Sequence, residues 1–228
     1  MANKIDLNND YPNITESDKL YERALKVQKP VTQTLAKGPG QFTKGVAPKY
    51  LVKMLPQIWE SKSPAYTRIN TRKTTYLHEP FTPGKAEVIA EGSDVTILTY
   101  GLLFEQALIA VEMLKSEGLS VGLINMRSLK PVDEQAILKA SAQSKLVVTL
   151  EDHFLTGGLY TIVAEVLLKH RTTGNVLPMA LNEKWFRPTL LPSVLEHEGF
   201  TGKQIAEKIL GYQTAHNQPQ ILTPEFSE

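Results

Sequence analysis

The stretch V-V-T-L-E-D-H-F-L-T-G-G, at residues 147–158, decides the fold class of this chain. It begins with β-branched and aliphatic residues that suit a strand buried on both faces, and it ends in two adjacent glycines. Apolar residues at helical spacing follow the glycines, from Leu159 to Leu167. The pattern predicts a buried strand that turns directly into a helix, which is the repeating unit of an α/β sheet.

Three polar residues, Glu151, Asp152 and His153, stand at the end of this predicted strand. Ligands and partners of open α/β sheets collect at the carboxyl ends of the strands, so this position is a candidate binding edge. The same acidic run can instead hydrogen-bond to the following helix and cap it. The residues alone leave both interpretations open.

Strands and helices alternate from Pro83-Gly84 onward. A helix is indicated from Phe104 to Leu114 with Gly118 as its cap, a second opens at Pro131 and Asp133, and two more lie near 192–197 and 201–210. This alternation predicts a three-layer α/β domain, a mostly parallel sheet of about five strands with helices on both faces. The predicted strands are 85–90, 94–100, 120–126, 145–150 and 176–181.

The first 83 residues are of another kind, because prolines recur and no series of buried strands is present. We predict a short irregular or helical N-terminal segment, with helices at 17–36 and 50–60 and one strand at 65–69. The predicted organisation is therefore an N-terminal segment at 1–83, an α/β domain at 84–212 and a tail at 213–228.

Composition excludes several classes of function. The 228 residues carry 25 Lys and Arg against 24 Asp and Glu, so a net charge of +1 offers no broad field for nucleic acid or an anionic membrane. The absence of cysteine excludes disulfides, thiolate metal sites and cysteine nucleophiles. No apolar run is long enough to span a bilayer, and the amino end lacks a signal peptide's apolar core. We expect a cytoplasmic protein.

Four phrases stand in series along the chain: S-P-A-Y-T-R at 63–68, G-K-A-E-V-I-A-E-G-S-D-V-T-I-L-T-Y-G at 84–101, I-N-M-R-S-L-K-P-V-D at 124–133, and V-T-L-E-D-H with G-G at 148–158. In this order and spacing they resemble the transketolase family. The resemblance runs from about residue 50 to 212, which corresponds to the family's C-terminal domain and the last part of its pyrimidine-binding domain.

The resemblance implies a cofactor that this chain would not hold by itself. Transketolase-like enzymes bind thiamine diphosphate between domains of different protomers, and a Gly-Asp-Gly turn with a later Asn holds the diphosphate and Mg²⁺. The chain contains no such pair. The family's activating glutamate, in F-x-x-G-I-A-E-Q-N, has as its nearest counterpart F-T-K-G-V-A-P-K-Y at 42–50, where Pro48 takes the place of the acid. We expect no catalytic residue and no metal ligand here, and thiamine diphosphate and Mg²⁺ bound mainly by a partner chain.

The resemblance assigns roles to a few residues. Arg68 matches a family arginine that contacts the phosphate of the sugar substrate, and Arg72 is a second candidate; each is otherwise an ordinary surface arginine. The family's C-terminal domain builds the dimer interface and the rim of the active site. The residues expected at that interface or rim are Glu151, Asp152, His153, Gly157 and Gly158.

The function hypothesis is a C-terminal subunit of a split transketolase-like enzyme, inactive alone, that takes part in two-carbon ketol or acyl transfer. Its partner would be a second chain with the diphosphate-binding and pyrimidine-binding domains, and a homodimer through the C-terminal domain is possible. The alternatives are a non-catalytic scaffold, the beta subunit of a 2-oxo-acid dehydrogenase decarboxylase component, and the product of a truncated gene. Neither nucleic acid nor membrane is an expected partner.

Overall fold

A computed structural model of the chain describes residues 49–61, 64–68, 76–182 and 190–217. The chain divides into two compact units, Met1–Val52 and Lys53–Glu228. The first described helix, α1, is Lys49–Glu60, which confirms the helix predicted at 50–60. Three predictions lie outside the described residues: the helix at 17–36, residues 42–48 of the phrase that contains Pro48, and Arg72.

Five strands form one sheet in the order β1-β3-β2-β4-β5. All neighbouring pairs are parallel except β1 and β3, which are antiparallel. The predicted α/β sheet, mostly parallel and of five strands, is therefore confirmed. The strands are β1 Glu87–Ala90, β2 Val95–Thr99, β3 Val121–Asn125, β4 Leu146–Phe154 and β5 Val176–Leu181.

Helices cover both faces of the sheet, so the three-layer architecture is also confirmed. The adjacent β2 residues Ile97 and Leu98 illustrate this covering: both are fully buried, and they belong to hydrophobic clusters on opposite faces of the sheet. One cluster contains apolar residues of α2, α5 and α6, and the other contains those of α3 and α4. The helices are α2 Phe104–Ser116, α3 Glu134–Gln143, α4 Leu159–Lys169, α5 Leu191–Glu198 and α6 Gly202–Asn217, with a 3₁₀ turn at Gly101–Leu103 before α2.

The predicted helix ends have clear local causes. The Asp133 carboxylate accepts a hydrogen bond from the Ala136 N–H at 3.3 Å and so caps the start of α3. After α2, Gly118 has φ of +85° and donates its N–H to the Lys115 carbonyl. A left-handed residue is the usual way to end a helix, and glycine adopts this conformation without steric cost.

Two sequence predictions outside the sheet need correction. The strand predicted at 65–69 is wrong over its described part, 65–68, because these four residues are exposed, have no regular secondary structure and pair with no described strand. Helix α6 extends to Asn217, well beyond the predicted end at residue 210. The division at 83/84 and 212/213 stays a prediction.

The strand register aligns the carboxyl ends of the parallel strands. Thr99 lies opposite both Asn125 and Leu150, and Glu87, at the start of antiparallel β1, also lies opposite Asn125. Beyond this level the pairing of β4 with β5 becomes irregular: Leu150 pairs with Met179, but Phe154 pairs with Leu181. Three residues of β4, 151–153, thus face a single residue of β5. This β-bulge contains the polar run Glu151, Asp152 and His153.

Candidate functional site

The three polar side chains in the β4 bulge differ in their exposure to solvent. Glu151 is fully buried, Asp152 is partly buried and His153 is exposed. Bulges commonly occur near functional sites because the extra residues redirect side chains that regular pairing would place on alternate faces. Here the irregularity allows consecutive residues to take different roles.

Glu151 caps helix α4. Its Oε2 accepts a hydrogen bond from the Leu159 N–H at 2.6 Å and its Oε1 accepts one from the Tyr160 N–H at 3.0 Å. These two N–H groups begin the helix and have no partner inside it, and a carboxylate also interacts favourably with the positive end of the helix. For Glu151 the structure therefore provides the capping role that the sequence left open.

The two glycines allow this carboxylate to approach the helix. A Cβ atom at Gly158 would overlap Oε2 of Glu151 and lie 2.8 Å from the Phe154 carbonyl oxygen. Gly157 has φ of +79°, a conformation that side chains disfavour. The glycine pair is thus explained by the close packing of a strand against a helix at Gly158 and by a left-handed turn at Gly157.

Asp152 forms an ion pair with Arg68, 84 residues earlier in the chain. Nη2 of Arg68 lies 2.6 Å from Oδ2 of Asp152, and Nη1 lies 3.3 Å from Oδ1. The Arg68 side chain is 53% exposed and that of Asp152 is 12% exposed. Burial raises the pKa of Asp152 above its ordinary value, and the Arg68 charge offsets this only in part. Both residues were candidates from the sequence, but no local pattern in the chain places them together.

Tyr100 completes the polar group at this edge, and sequence reasoning missed it. Its hydroxyl donates to Oε2 of Glu151 at 3.4 Å. Burial, followed by the charges of Glu151 and Asp152, raises the pKa of Tyr100, while Arg68 acts in the opposite direction. Tyr100 therefore remains a protonated donor. Its position directly after β2, beside β4, was the available signal, because parallel neighbours end at the same edge.

A second polar cluster surrounds Glu87 at the start of β1. Its carboxylate accepts hydrogen bonds from His78 Nδ1 at 2.8 Å, the Glu79 N–H at 2.7 Å and Asn125 Nδ2 at 3.1 Å, with Arg127 at 3.9 Å. Burial by itself would raise the pKa of Glu87, but these hydrogen bonds outweigh it and hold the pKa below its usual range. Its hydrogen bonds hold residues 78–79 against the sheet. Its sequence signal was the presence of Glu and Asn in otherwise apolar strands.

The described residues do not fit a metal and diphosphate site. Within the described ranges, no three His, Asp or Glu side chains come together in a way that could hold a metal ion. The two buried glutamates already have partners, Glu151 the helix N-terminus and Glu87 its hydrogen-bond cluster. No described helix is long and apolar enough to cross a membrane.

The family model for the transketolase C-terminal domain matches residues 84–205, more than half of the chain. The chain belongs to the transketolase C-terminal domain family. The matched range contains the five described strands and the Glu151 cap, so the match covers the sheet described above.

Individual transketolase relatives agree with this assignment. A Methanocaldococcus jannaschii protein described as a transketolase C-terminal section is 34% identical over 158 residues, which cover 67% of this chain and 49% of the relative. The 6-deoxy-6-sulfo-D-fructose transketolase subunit SqwH of a Clostridium species is 37% identical over 115 residues, covering 49% of this chain and 36% of that protein.

Among solved transketolase structures, a split-gene transketolase described as an inactive β4 tetramer matches with a TM-score of 0.65 and 30% identity. The match covers 71% of this chain and 54% of that one. This chain therefore spans about half of the length of the split-gene protein and of the Methanocaldococcus relative.

Proposed function

We propose that this chain is the C-terminal subunit of a split, transketolase-like enzyme that depends on thiamine diphosphate and transfers a two-carbon ketol or acyl unit. The observation that carries the proposal is the likeness to a split-gene transketolase at 30% identity and a TM-score of 0.65. The names of the Methanocaldococcus and Clostridium relatives, a C-terminal section and a transketolase subunit, support the same arrangement.

A second chain would hold the cofactor. It would carry the diphosphate-binding domain, the Mg²⁺ ligands and the activating carboxylate of the pyrimidine-binding domain. The described residues support a cofactor site on a second chain, because the buried carboxylates of Glu87 and Glu151 already accept hydrogen bonds within this chain. Thiamine diphosphate, when bound by the partner, supplies the nucleophilic carbon for the transfer.

This chain would contribute the rim of the active site and Arg68. The Arg68 guanidinium is half-exposed and stands at the carboxyl edge of the sheet, where α/β proteins place ligands. A planar, permanently charged group with several N–H donors suits a sugar phosphate. Asp152, His153 and Gly157 are at least partly exposed at the same edge and stay predicted rim residues, as do buried Glu151 and Gly158. Arg72 stays a predicted second phosphate contact.

The proposal is tested by purifying the tagged chain from its native host and identifying the chains that accompany it. A ketol-transfer assay follows, with thiamine diphosphate and Mg²⁺ each present or omitted, on the chain alone and on the complex. We expect turnover only in the complex and only with both added. Turnover by the isolated chain would refute the division of labour. A partner that lacks the cofactor-binding domains would favour a non-catalytic scaffold, and 2-oxo-acid decarboxylation without ketol transfer would favour the dehydrogenase subunit.

Self-association and location are separate parts of the proposal. A homodimer through the C-terminal domain would appear as twice the monomer mass in light scattering of the isolated chain. Cytoplasmic location stays a prediction from the cysteine-free composition.

A further inference from the structure

Asp152 accepts hydrogen bonds from only one edge of the Arg68 guanidinium, the edge formed by its two terminal nitrogens. Asp152 binds end-on, one carboxylate oxygen to each terminal nitrogen. A guanidinium has five N–H donors arranged along its edges, so the side-on edge formed by Nε and one terminal nitrogen remains for a second bidentate acceptor. No other described group is hydrogen-bonded to Arg68, and the side chain is 53% exposed.

The carboxylate is the fixed member of this pair. Asp152 belongs to β4, lies in the bulge next to the buried Glu151 cap and is only 12% exposed. Arg68 belongs to an exposed segment without regular structure. The arginine side chain therefore takes its position from Asp152, and the two opposite charges cancel where an anion would bind.

Stability does not explain the presence of Asp152, although Arg68 offsets part of the cost of its burial. Burial raises the pKa of Asp152 more than Arg68 lowers it, so the ionised carboxylate is less favourable in the folded chain than in the unfolded one. A carboxylate that lowers stability but lies at the carboxyl edge of a sheet fits a role in ligand selection.

We propose that Asp152 is a specificity-determining residue: it neutralises Arg68 and occupies its end-on edge, so that a tetrahedral oxyanion is recognised by the hydrogen bonds of the side-on edge rather than by charge. This inference rests on the proposed substrate-binding role of Arg68. The ligand class is a small molecule that ends in a phosphoryl or sulfonyl group. With Asp152 in place, a dianion and a monoanion of the same shape bind with similar affinity.

The test uses the full chain and two probes of matched shape, methylphosphonate as its dianion and methanesulfonate, a monoanion. Binding is followed through the Nε–H NMR signal of Arg68, assigned by its loss in Arg68→Gln. In Asp152→Asn the net charge of the site rises by one. Coulomb's law at roughly 6 Å in a water-like dielectric then predicts about threefold tighter binding of the monoanion and about tenfold tighter binding of the dianion. Both gains should shrink as salt is added.

Asp94→Asn is the matched control, because Asp94 also pairs with a cation, Lys145 at 2.9 Å, but directly precedes β2 at the opposite edge of the sheet. Its anion affinities should equal those of the unmodified chain. Equal gains for both probes, unchanged affinities or weaker binding in Asp152→Asn would each overturn the inference, as would failure of either probe to shift the Arg68 signal at millimolar concentration. None of these results depends on a partner chain or on thiamine diphosphate, so the split-enzyme proposal stands or falls separately.

Discussion

Replacing Glu151 by Gln should destabilise the domain strongly although the side chain keeps its volume. The carboxylate accepts two backbone N–H groups through different oxygens, at 2.6 and 3.0 Å, in a fully buried position. An amide offers one acceptor and turns an NH₂ group toward the other N–H. The substitution therefore leaves one buried donor unpaired and removes the negative charge from the start of α4.

The size of the effect follows from these two losses. An unsatisfied buried donor costs about 1–3 kcal/mol. A charge at a partly buried helix terminus contributes up to about 2 kcal/mol. We expect Glu151→Gln to lower the free energy of unfolding by about 2–4 kcal/mol, a large part of the roughly 5–15 kcal/mol typical of a domain.

Urea unfolding followed by circular dichroism, with the slope m compared between variants, measures this difference. Glu165→Gln is the matched control, because Glu165 lies on the same helix but is exposed. Its effect should stay within about 0.5 kcal/mol. If Glu151→Gln were as stable as Glu165→Gln, the capping role assigned to Glu151 would be wrong.

Three further predictions concern stability. Gly158→Ala should lower the free energy of unfolding by about 1–3 kcal/mol in the same urea assay, because the new Cβ would overlap the Glu151 carboxylate. Thr149→Val should raise the free energy of unfolding by about 1 kcal/mol, because the fully buried Thr149 hydroxyl has no described hydrogen-bond partner. Thr99→Val should lower it by about 1 kcal/mol, because the Thr99 hydroxyl donates to the Leu150 carbonyl at 2.9 Å. Equal shifts in the two variants would contradict this pair of predictions. The folded-state pKa of Glu87 lies below its ordinary value of 4.5, so its carboxylate stabilises the fold above that pH and the stabilisation is lost as the pH falls through the folded-state value. Glu87→Gln should therefore be less stable than the unmodified chain at pH 7 and show a weaker acid dependence in thermal unfolding from pH 7 to pH 3; an unchanged profile would refute this.

The sheet could be predicted from sequence because its strands are continuous apolar runs between turn residues. The strand predicted at 176–181 matches β5 at both ends. The predicted end of β4 at residue 150 was too early, because polar residues normally mark the end of a buried strand. Here the bulge lets β4 continue to Phe154 while Glu151 stays buried against a helix. Period-two reasoning cannot anticipate such an irregularity.

The site was predictable as a set of residue types but not as a set of contacts. The E-D-H run marked the correct edge, yet the different roles of Glu151 and Asp152 depend on the bulge. The Arg68–Asp152 pair joins an irregular segment to a strand 84 residues later, and local pattern carries no information about such a contact. Glu87 was missed for a related reason, because its partners come from two other parts of the chain, residues 78–79 and Asn125.

The direction of β1 determines where the polypeptide enters the sheet. Because β1 runs antiparallel to β3, Glu87 lies level with the ends of β3 and β2 rather than with their starts. If β1 ran parallel to β3 instead, its first residue would lie roughly 10 Å away, at the opposite end of this four-residue strand. The antiparallel direction of this short strand thus brings its first residue to the carboxyl edge of the sheet, the side on which Arg68 meets its acidic partner.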